Sequence, residues 1–216
     1  GKISHEFILL TEVGEDTIAT CAETGYYANR DVATGIIQGF SEAPKPLEKV
    51  HTPGFKTIEE VATFLGVEPR QTAKAVFYDS DADGKPVIAV IRGDRDICET
   101  KLAKIIHTIP TPANDARIRG AGGVPGFASP AGLDKTTWRI VVDATVAGSS
   151  NLVTGANESD YHVKNFNLER DLPGIETVDI AAIAEGDRTP DGKGVITLQR
   201  GIEVGNIFQL GSKYTE

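Results

Sequence analysis

Cysteine is scarce here: Cys21 and Cys98 stand far apart and form neither a CxxC pair nor a metal-spaced set. A disulfide framework is therefore excluded, and both thiols are expected reduced, buried and structural. Arg92 and Arg95 lie close to Cys98 in sequence and would favour a thiolate. One thiol near arginines does not make a nucleophile. No run approaches the roughly 20 apolar residues needed to span a bilayer. The opening, GKISHEFILL, lacks the basic segment and small-residue cleavage site of a secretory signal. A soluble, cytoplasmic chain with no membrane partner is the expectation.

Positive charge is also in short supply, with 22 Lys and Arg against 31 Asp and Glu, a net charge of −9. That argues against non-specific binding to long nucleic acid, where phosphate neutralisation supplies most of the affinity. Contact with one RNA end through a local patch stays open. Residues 90–120 hold six basic residues (Arg92, Arg95, Lys101, Lys104, Arg117, Arg119) against four acidic ones (Asp94, Asp96, Glu99, Asp115). On charge alone that stretch reads as a solvated face of mixed sign. Recognisable catalytic motifs are missing as well. The four histidines (5, 51, 107 and 162) form no HExxH or His/Cys set, and there is no G-x-S-x-G elbow, Walker loop or strand-bound G-x-G-x-x-G. A metal or nucleotide enzyme is unsupported.

What is present is a chain of 216 residues, 40% apolar and 25% charged, enough for one to two domains of about 100–200 residues with a sizeable core. Phe7–Leu10, the turn Val13–Asp16 and Thr17–Cys21 predict a strand hairpin. Residues 35–55 carry Pro44, Pro46, Pro53 and Gly54 and read as a linker. Thr57 with Glu60 forms a capping box for a helix that presents Ile58, Val61, Ala62 and Leu65 on one face and closes at Gly66. Pro69–Thr72 can open a second helical turn. Residues 75–78 and 86–91 are expected strands around a turn at 81–84, 99–106 a helix, and 140–142 a strand ending at Asp143. Beyond the turn-rich 185–194, residues 195–199 and 203–210 read as strands around Gly201 and Gly205. This order indicates an α/β (α+β) layered domain. Both terminal zones are short strand fragments unable to fold alone, like two edges of a host from which the middle protrudes.

Three local patterns suggest chemistry. Gly126-Phe127-Ala128-Ser129-Pro130 is a G-x-x-x-P loop able to offer backbone N–H donors to an oxyanion, or an ordinary turn. His162, within Gly155-Ala156-Asn157-Glu158-Ser159-Asp160-Tyr161-His162, suits a hydrogen-bond donor or general base, although a lone histidine is more often structural. Lys74, among Ala73, Ala75 and Val76, is either a phosphate ligand at a strand mouth or a snorkelling edge residue.

Several segments carry a resemblance to a known family: KPLEKVHTPGFKTIEEVATFLGV (45–67), TAKAVFY (72–78), VIAVIRGDRDICETKL (87–102), VPGFASP (124–130) and TGANESDYHVKNFNLERD (154–171). They resemble the insertion, or editing, domain of bacterial-type prolyl-tRNA synthetases. SHEFILLTEVGEDTIATC with YYAN (4–29) and GDRTPDGKGVITLQRGIEVGNIFQLGSKYTE (186–216) are similar to the catalytic-core sequence on either side of that insertion. The resemblance implies three parts: 1–44 as core flank and linker, 45–185 as editing domain and 186–216 as return into the core. The implied fold is of the prolyl-tRNA editing (YbaK/ProX-like) type, a mixed sheet with surrounding helices.

The implied activity is hydrolysis of mischarged alanyl-tRNA for proline. A proline pocket gains only about 1–3 kcal/mol of discrimination per missing methylene, so a second sieve is useful. The implied partners are the tRNA 3′ end carrying a small amino acid and the rest of the synthetase, the parent being a homodimer. No cofactor is implied for editing; ATP and Mg serve the parent ligase. By resemblance, Lys74 engages the tRNA end or its phosphates and the loop from Gly126 to Pro130 supplies donors to the ester. Asp143 and His162 orient the terminal adenosine and aminoacyl group. Flanks this short imply a chain that does not itself activate proline, with no anticodon-binding domain after Glu216. Two alternatives stay open: a trans-acting deacylase of other specificity, and a non-catalytic tRNA-binding or structural insertion.

Overall fold

The computed structural model describes residues 4–208; residues 1–3 and 209–216, with the end of the 203–210 strand and of the 186–216 segment, lie outside the described residues. In chain order come β1 (Ser4–Leu10), β2 (Asp16–Cys21), β3 (Tyr26–Asn29), β4 (Glu48–His51), α1 (Ile58–Leu65), a 3-10 turn (Pro69–Gln71), β5 (Ala73–Tyr78) and β6 (Val87–Arg92). Then follow α2 (Glu99–Ile106), α3 (Asp115–Gly120), β7 (Arg139–Asp143), α4 (Ala144–Ala147), β8 (Leu152–Gly155), β9 (Tyr161–Phe166), α5 (Leu168–Asp171), β10 (Thr177–Val178) and β11 (Thr197–Phe208). The chain divides into two compact units, Gly1–Ile37 with Ile183–Glu216, and Gln38–Ala182.

The unit built from both chain ends is one antiparallel sheet in the order β1-β11-β2-β3. The expected hairpin of the first two strands does not form, because β11 lies between them. Its first half pairs β2 and its second half pairs β1. The two strands expected at 195–210 are thus one strand, with a register shift between Phe7 and Ile8 of its partner. The turn before β2 crosses close over β11. A side chain on Gly14 would run into the Gly201 backbone, so the crossing needs glycine there. Ala19, Ala33, Ile183 and Ile196 form the small core of this unit. Phe7, Leu9, Val204 and Ile207 remain more than half exposed.

The unit of residues 38–182 holds two sheets. One is mixed, in the order β10-β7-β6-β5, with β5 antiparallel to β6 and the other pairs parallel. The second, β4-β9-β8, is antiparallel. Every residue of β6 is buried, as the unbroken apolar run VIAVI suits a strand covered on both faces. Ile88 and Val90 join one core with Phe77, Trp138 and Phe166; Val87 and Ala89 join another with Leu102, Ile106 and Ile180. Leu102 of α2 is fully buried, and its truncation to Ala is expected to cost about 2–5 kcal/mol.

Local signals read correctly where they were strong. Thr57 accepts the Glu60 N–H at 3.3 Å, Glu60 accepts the Thr57 N–H at 3.0 Å, and Gly66 closes α1 at φ 65°. The expected linker at 35–55 is corrected in part. Glu48–His51 is a strand because β9 offers it a partner, with Val50 opposite His162. α3 and α4, each under two turns, carried no sequence expectation.

Candidate functional site

β5 opens beside the second sheet, where Thr72 bridges Val153 in parallel. A cavity of about 220 Å³ lies there, lined by Lys56, Thr57, Lys74, Gly126, Ala128, Gly155 and His162 among others. The structure therefore brings together Lys74, Gly126 and His162, which are separated widely in sequence. Pro130 is buried at the far end of the loop and does not line the cavity. Asp143 is not brought there either.

His162 enters from β9 and is only 6% exposed. Its Nδ1 lies 2.6 Å from the hydroxyl of the fully buried Thr52, and its ring meets Phe127 edge-on at 5.5 Å. Burial lowers its pKa from the usual histidine value, so the ring is neutral near pH 7. With Nδ1 held by Thr52, Nε2 is the nitrogen left for a ligand.

The loop before Pro130 is held from β8 and the residues after it. Asn157 is the clamp: its Oδ1 accepts the Ser129 N–H at 2.8 Å, its Nδ2 donates to the Ala131 carbonyl at 2.7 Å, and its own N–H donates to the Phe127 carbonyl at 2.9 Å. The Phe127 N–H closes a turn onto Val124. Among the described residues, the N–H groups of Gly126 and Ala128 meet no acceptor, and both residues line the cavity. Gly126 adopts φ 81°, a conformation glycine takes without strain. Gly155 lets this loop approach, since a Cβ there would overlap the Phe127 and Ala128 carbonyls.

Lys74 is half-buried, and its Nζ donates to the largely exposed Asp96 carboxylate at 3.2 Å. Lys56, exposed at the lip, sits with its ammonium 5.9 Å from the Phe127 ring centroid. Neutral imidazole, spare backbone donors and two ammonium groups suit an anionic ligand whose carbonyl is polarised by hydrogen bonds.

Asp143 ends β7 and works inside the fold. Its Oδ1 accepts the Thr145 N–H and hydroxyl at 2.8 and 2.5 Å, and its Oδ2 accepts the N–H groups of Ile180 and Ala181 at 2.8 and 2.9 Å. It caps α4 and ties down the segment at β10. Both cysteines are buried, neither in a disulfide, and neither lines the cavity.

Thr52, Lys56, Gly155, Asn157 and Asp96 were not singled out individually from the sequence. Gly155 and Asn157 lie in the stretch already marked around His162, whereas Thr52 and Lys56 hide in the Pro/Gly-rich segment that precedes α1. No helix of the described residues is long and apolar enough to cross a membrane.

A family model described as an aminoacyl-tRNA editing domain matches residues 52–172, a span that contains Thr52, Lys74, Gly126 and His162. The chain is 46% identical over 218 residues to a proline–tRNA ligase of Dehalococcoides mccartyi and 41% identical over 220 residues to one of Bacillus subtilis. Each match covers 100% of this chain but 38% of the relative. Among solved structures, a candidate trans-editing enzyme for prolyl tRNA synthetase is similar, with TM-score 0.54 and 18% identity, over 62% of this chain and 86% of its own. A hypothetical protein is similar with TM-score 0.55 and 19% identity, over 63% and 91%. At such identities these two speak for the fold alone.

Proposed function

The chain belongs to the aminoacyl-tRNA editing domain family, and from that premise we propose that it hydrolyses the ester of tRNA for proline carrying a smaller amino acid, alanine above all. The observation that carries this reading is the convergence of Lys74, Gly126 and His162 on one cavity. Its volume of about 220 Å³ is below the ~300–1,000 Å³ of pockets for drug-sized ligands, which fits an aminoacyl end better than a whole nucleotide.

In this reading water attacks the ester carbonyl carbon. Negative charge develops on the carbonyl oxygen, facing the N–H groups of Gly126 and Ala128. The bond to the ribose oxygen then breaks, the amino acid leaves as its carboxylic acid, and the ribose oxygen takes the proton. Neutral His162, steadied by Thr52, orients the aminoacyl group. Lys74 holds the 3′ end inside the cavity, its charge tempered by Asp96. Proline is rejected by size, because the walls of His162, Gly155 and the 126–128 backbone are mutually braced.

The partners follow from length. The chain spans 38% of the ligases it matches, and the exposed Phe7, Leu9, Val204 and Ile207 of the other unit are a surface for the remainder of such a ligase to cover. The deciding experiment follows release of labelled amino acid from alanyl- and prolyl-tRNA for proline. Hydrolysis of the alanyl ester alone is expected, and Lys74→Ala should slow it about tenfold. Equal release of both amino acids would remove the sieve, and no release would leave a binding module.

A further inference from the structure

The two lysines of the cavity are not equivalent. The Lys74 ammonium is half-buried and already faces the Asp96 carboxylate at 3.2 Å. That of Lys56 has no carboxylate within ion-pair distance among the described residues. Glu60, four residues along the chain, spends Oε2 on the backbone N–H groups of Lys56 and Thr57 at the start of α1. The Lys56 stem lies along Gly126, where a Cβ would come within 2.9 Å of its Cδ, and its ammonium stands over the edge of the site at the Phe127 ring. A cation–π contact at this distance is weak and easily exchanged for an anion.

From this asymmetry we infer that Lys56 takes the phosphodiester next to the terminal nucleotide, while Lys74 acts deeper in the cavity. The inference rests on the editing reading above. An RNA whose ester carbonyl reaches the Gly126 and Ala128 N–H groups must bring its backbone out over the lip, and Lys56 is the lip residue whose charge is not already balanced. Gly126 thereby has a second role, since a side chain there would displace the Lys56 stem. A lysine suits this task as a point charge on a flexible stem, with no demand for bidentate geometry.

The test compares wild type, Lys56→Gln, Lys56→Arg and Lys74→Gln in the 216-residue chain. Two readouts are needed: steady-state hydrolysis of alanyl-tRNA for proline, and equilibrium binding of the same uncharged tRNA, each across a salt series. For Lys56→Gln, KM and Kd are expected to rise about five- to tenfold with kcat within twofold. The salt slope of log Kd should become shallower by about 0.7, the loss of one single-strand phosphate contact. Lys56→Arg should restore both.

Unchanged Kd and salt slope in Lys56→Gln would overturn the inference, as would a slope change confined to Lys74→Gln. A fall in kcat with KM intact would overturn it too, since that would place Lys56 at the reacting ester. Absence of hydrolysis by wild type would sink the editing reading, while the binding arm would still decide whether Lys56 holds a phosphate.

Discussion

Lys74 and Asp143 stand in the same row of one sheet with opposite surroundings. Lys74 pairs Ile91 on β6, one residue past Val90, and Asp143 is one residue past the Val142 that pairs Val90. Two strand spacings put them roughly 10 Å apart. At Asp143 both carboxylate oxygens are saturated by donors of the fold, and neighbouring Lys101 is likewise consumed by Asp179 and the Ala181 carbonyl. At Lys74 the polar groups have capacity left over: Nε2 of His162, the N–H groups of Gly126 and Ala128, and the Lys56 ammonium. The buried carboxylate of Asp143, satisfied on every side, serves the structure, whereas the groups around Lys74 line a cavity and keep donors and an acceptor that a ligand can engage.

The strongest way to break this contrast is Asp143→Ala. It would leave two buried backbone N–H groups at the β10 end and one at α4 without an acceptor, each costing about 1–3 kcal/mol. A loss of about 3–5 kcal/mol, or roughly 10 °C in a thermal melt, is expected. A stable Asp143→Ala protein that had lost hydrolysis would instead return Asp143 to the reaction.

Next in size is Gly155→Ala, at the cavity. The added methyl would meet the Phe127 and Ala128 carbonyls, so the loop must retreat and carry its free N–H groups away from the ester. Overpacking of this kind costs about 1–3 kcal/mol. The larger effect should fall on hydrolysis, at least tenfold in kcat, because oxyanion donors act only at close range. Retained kcat would show that this loop does not polarise the carbonyl.

The same contrast explains what the sequence disclosed. α1 was legible to its ends because its signals, Thr57, Glu60 and Gly66, are local, and β5, β6 and β7 because their apolar runs are strong. Lys74, the 126–130 loop and His162 could each be named, but their meeting in one cavity depends on pairings such as Val50 with His162 that no local pattern encodes. Asp143 illustrates the limit from the other side. Its position after an apolar strand is equally that of a catalytic acid or an N-cap, and only the donors from Thr145, Ile180 and Ala181 decide between them. β11 was misjudged for a related reason: its two glycines look like breaks, yet Gly201 is where the strand passes from one partner to the other.

A third test uses pH. His162 is buried with a lowered pKa, so between that value and about 6.5 the unfolded chain binds a proton that the folded one refuses. The stabilising contribution of the neutral ring is thus complete above about pH 6.5 and is lost as the pH falls below it toward the folded pKa. Hydrolysis should show an acid limb with an apparent pKa below 6.5, and His162→Gln should flatten the acid side of the stability profile. An acid limb at or above 6.5 would mean that the ring is not held neutral by its burial.

The smallest expected effect is the most discriminating for the site's electrostatics. Asp96 is 82% exposed and Lys74 26%, so their ion pair is screened and worth at most about 1 kcal/mol. Asp96→Asn should therefore leave the melt within a degree or two. It also leaves intact the backbone carbonyl of Asp96, which accepts the Ala182 N–H at 2.8 Å. What changes is the charge felt at the cavity: one carboxylate disappears from beside Lys74, and an approaching RNA end meets a full rather than a tempered cation. Two- to threefold tighter tRNA binding at low salt is expected, fading by 0.5 M, where the Debye length is only a few ångström. Tighter binding that survived high salt would point to a contact made by the new amide. Unchanged binding at every salt concentration would show that Lys74 meets no negative charge of the substrate, leaving its ammonium to the ester end of the cavity.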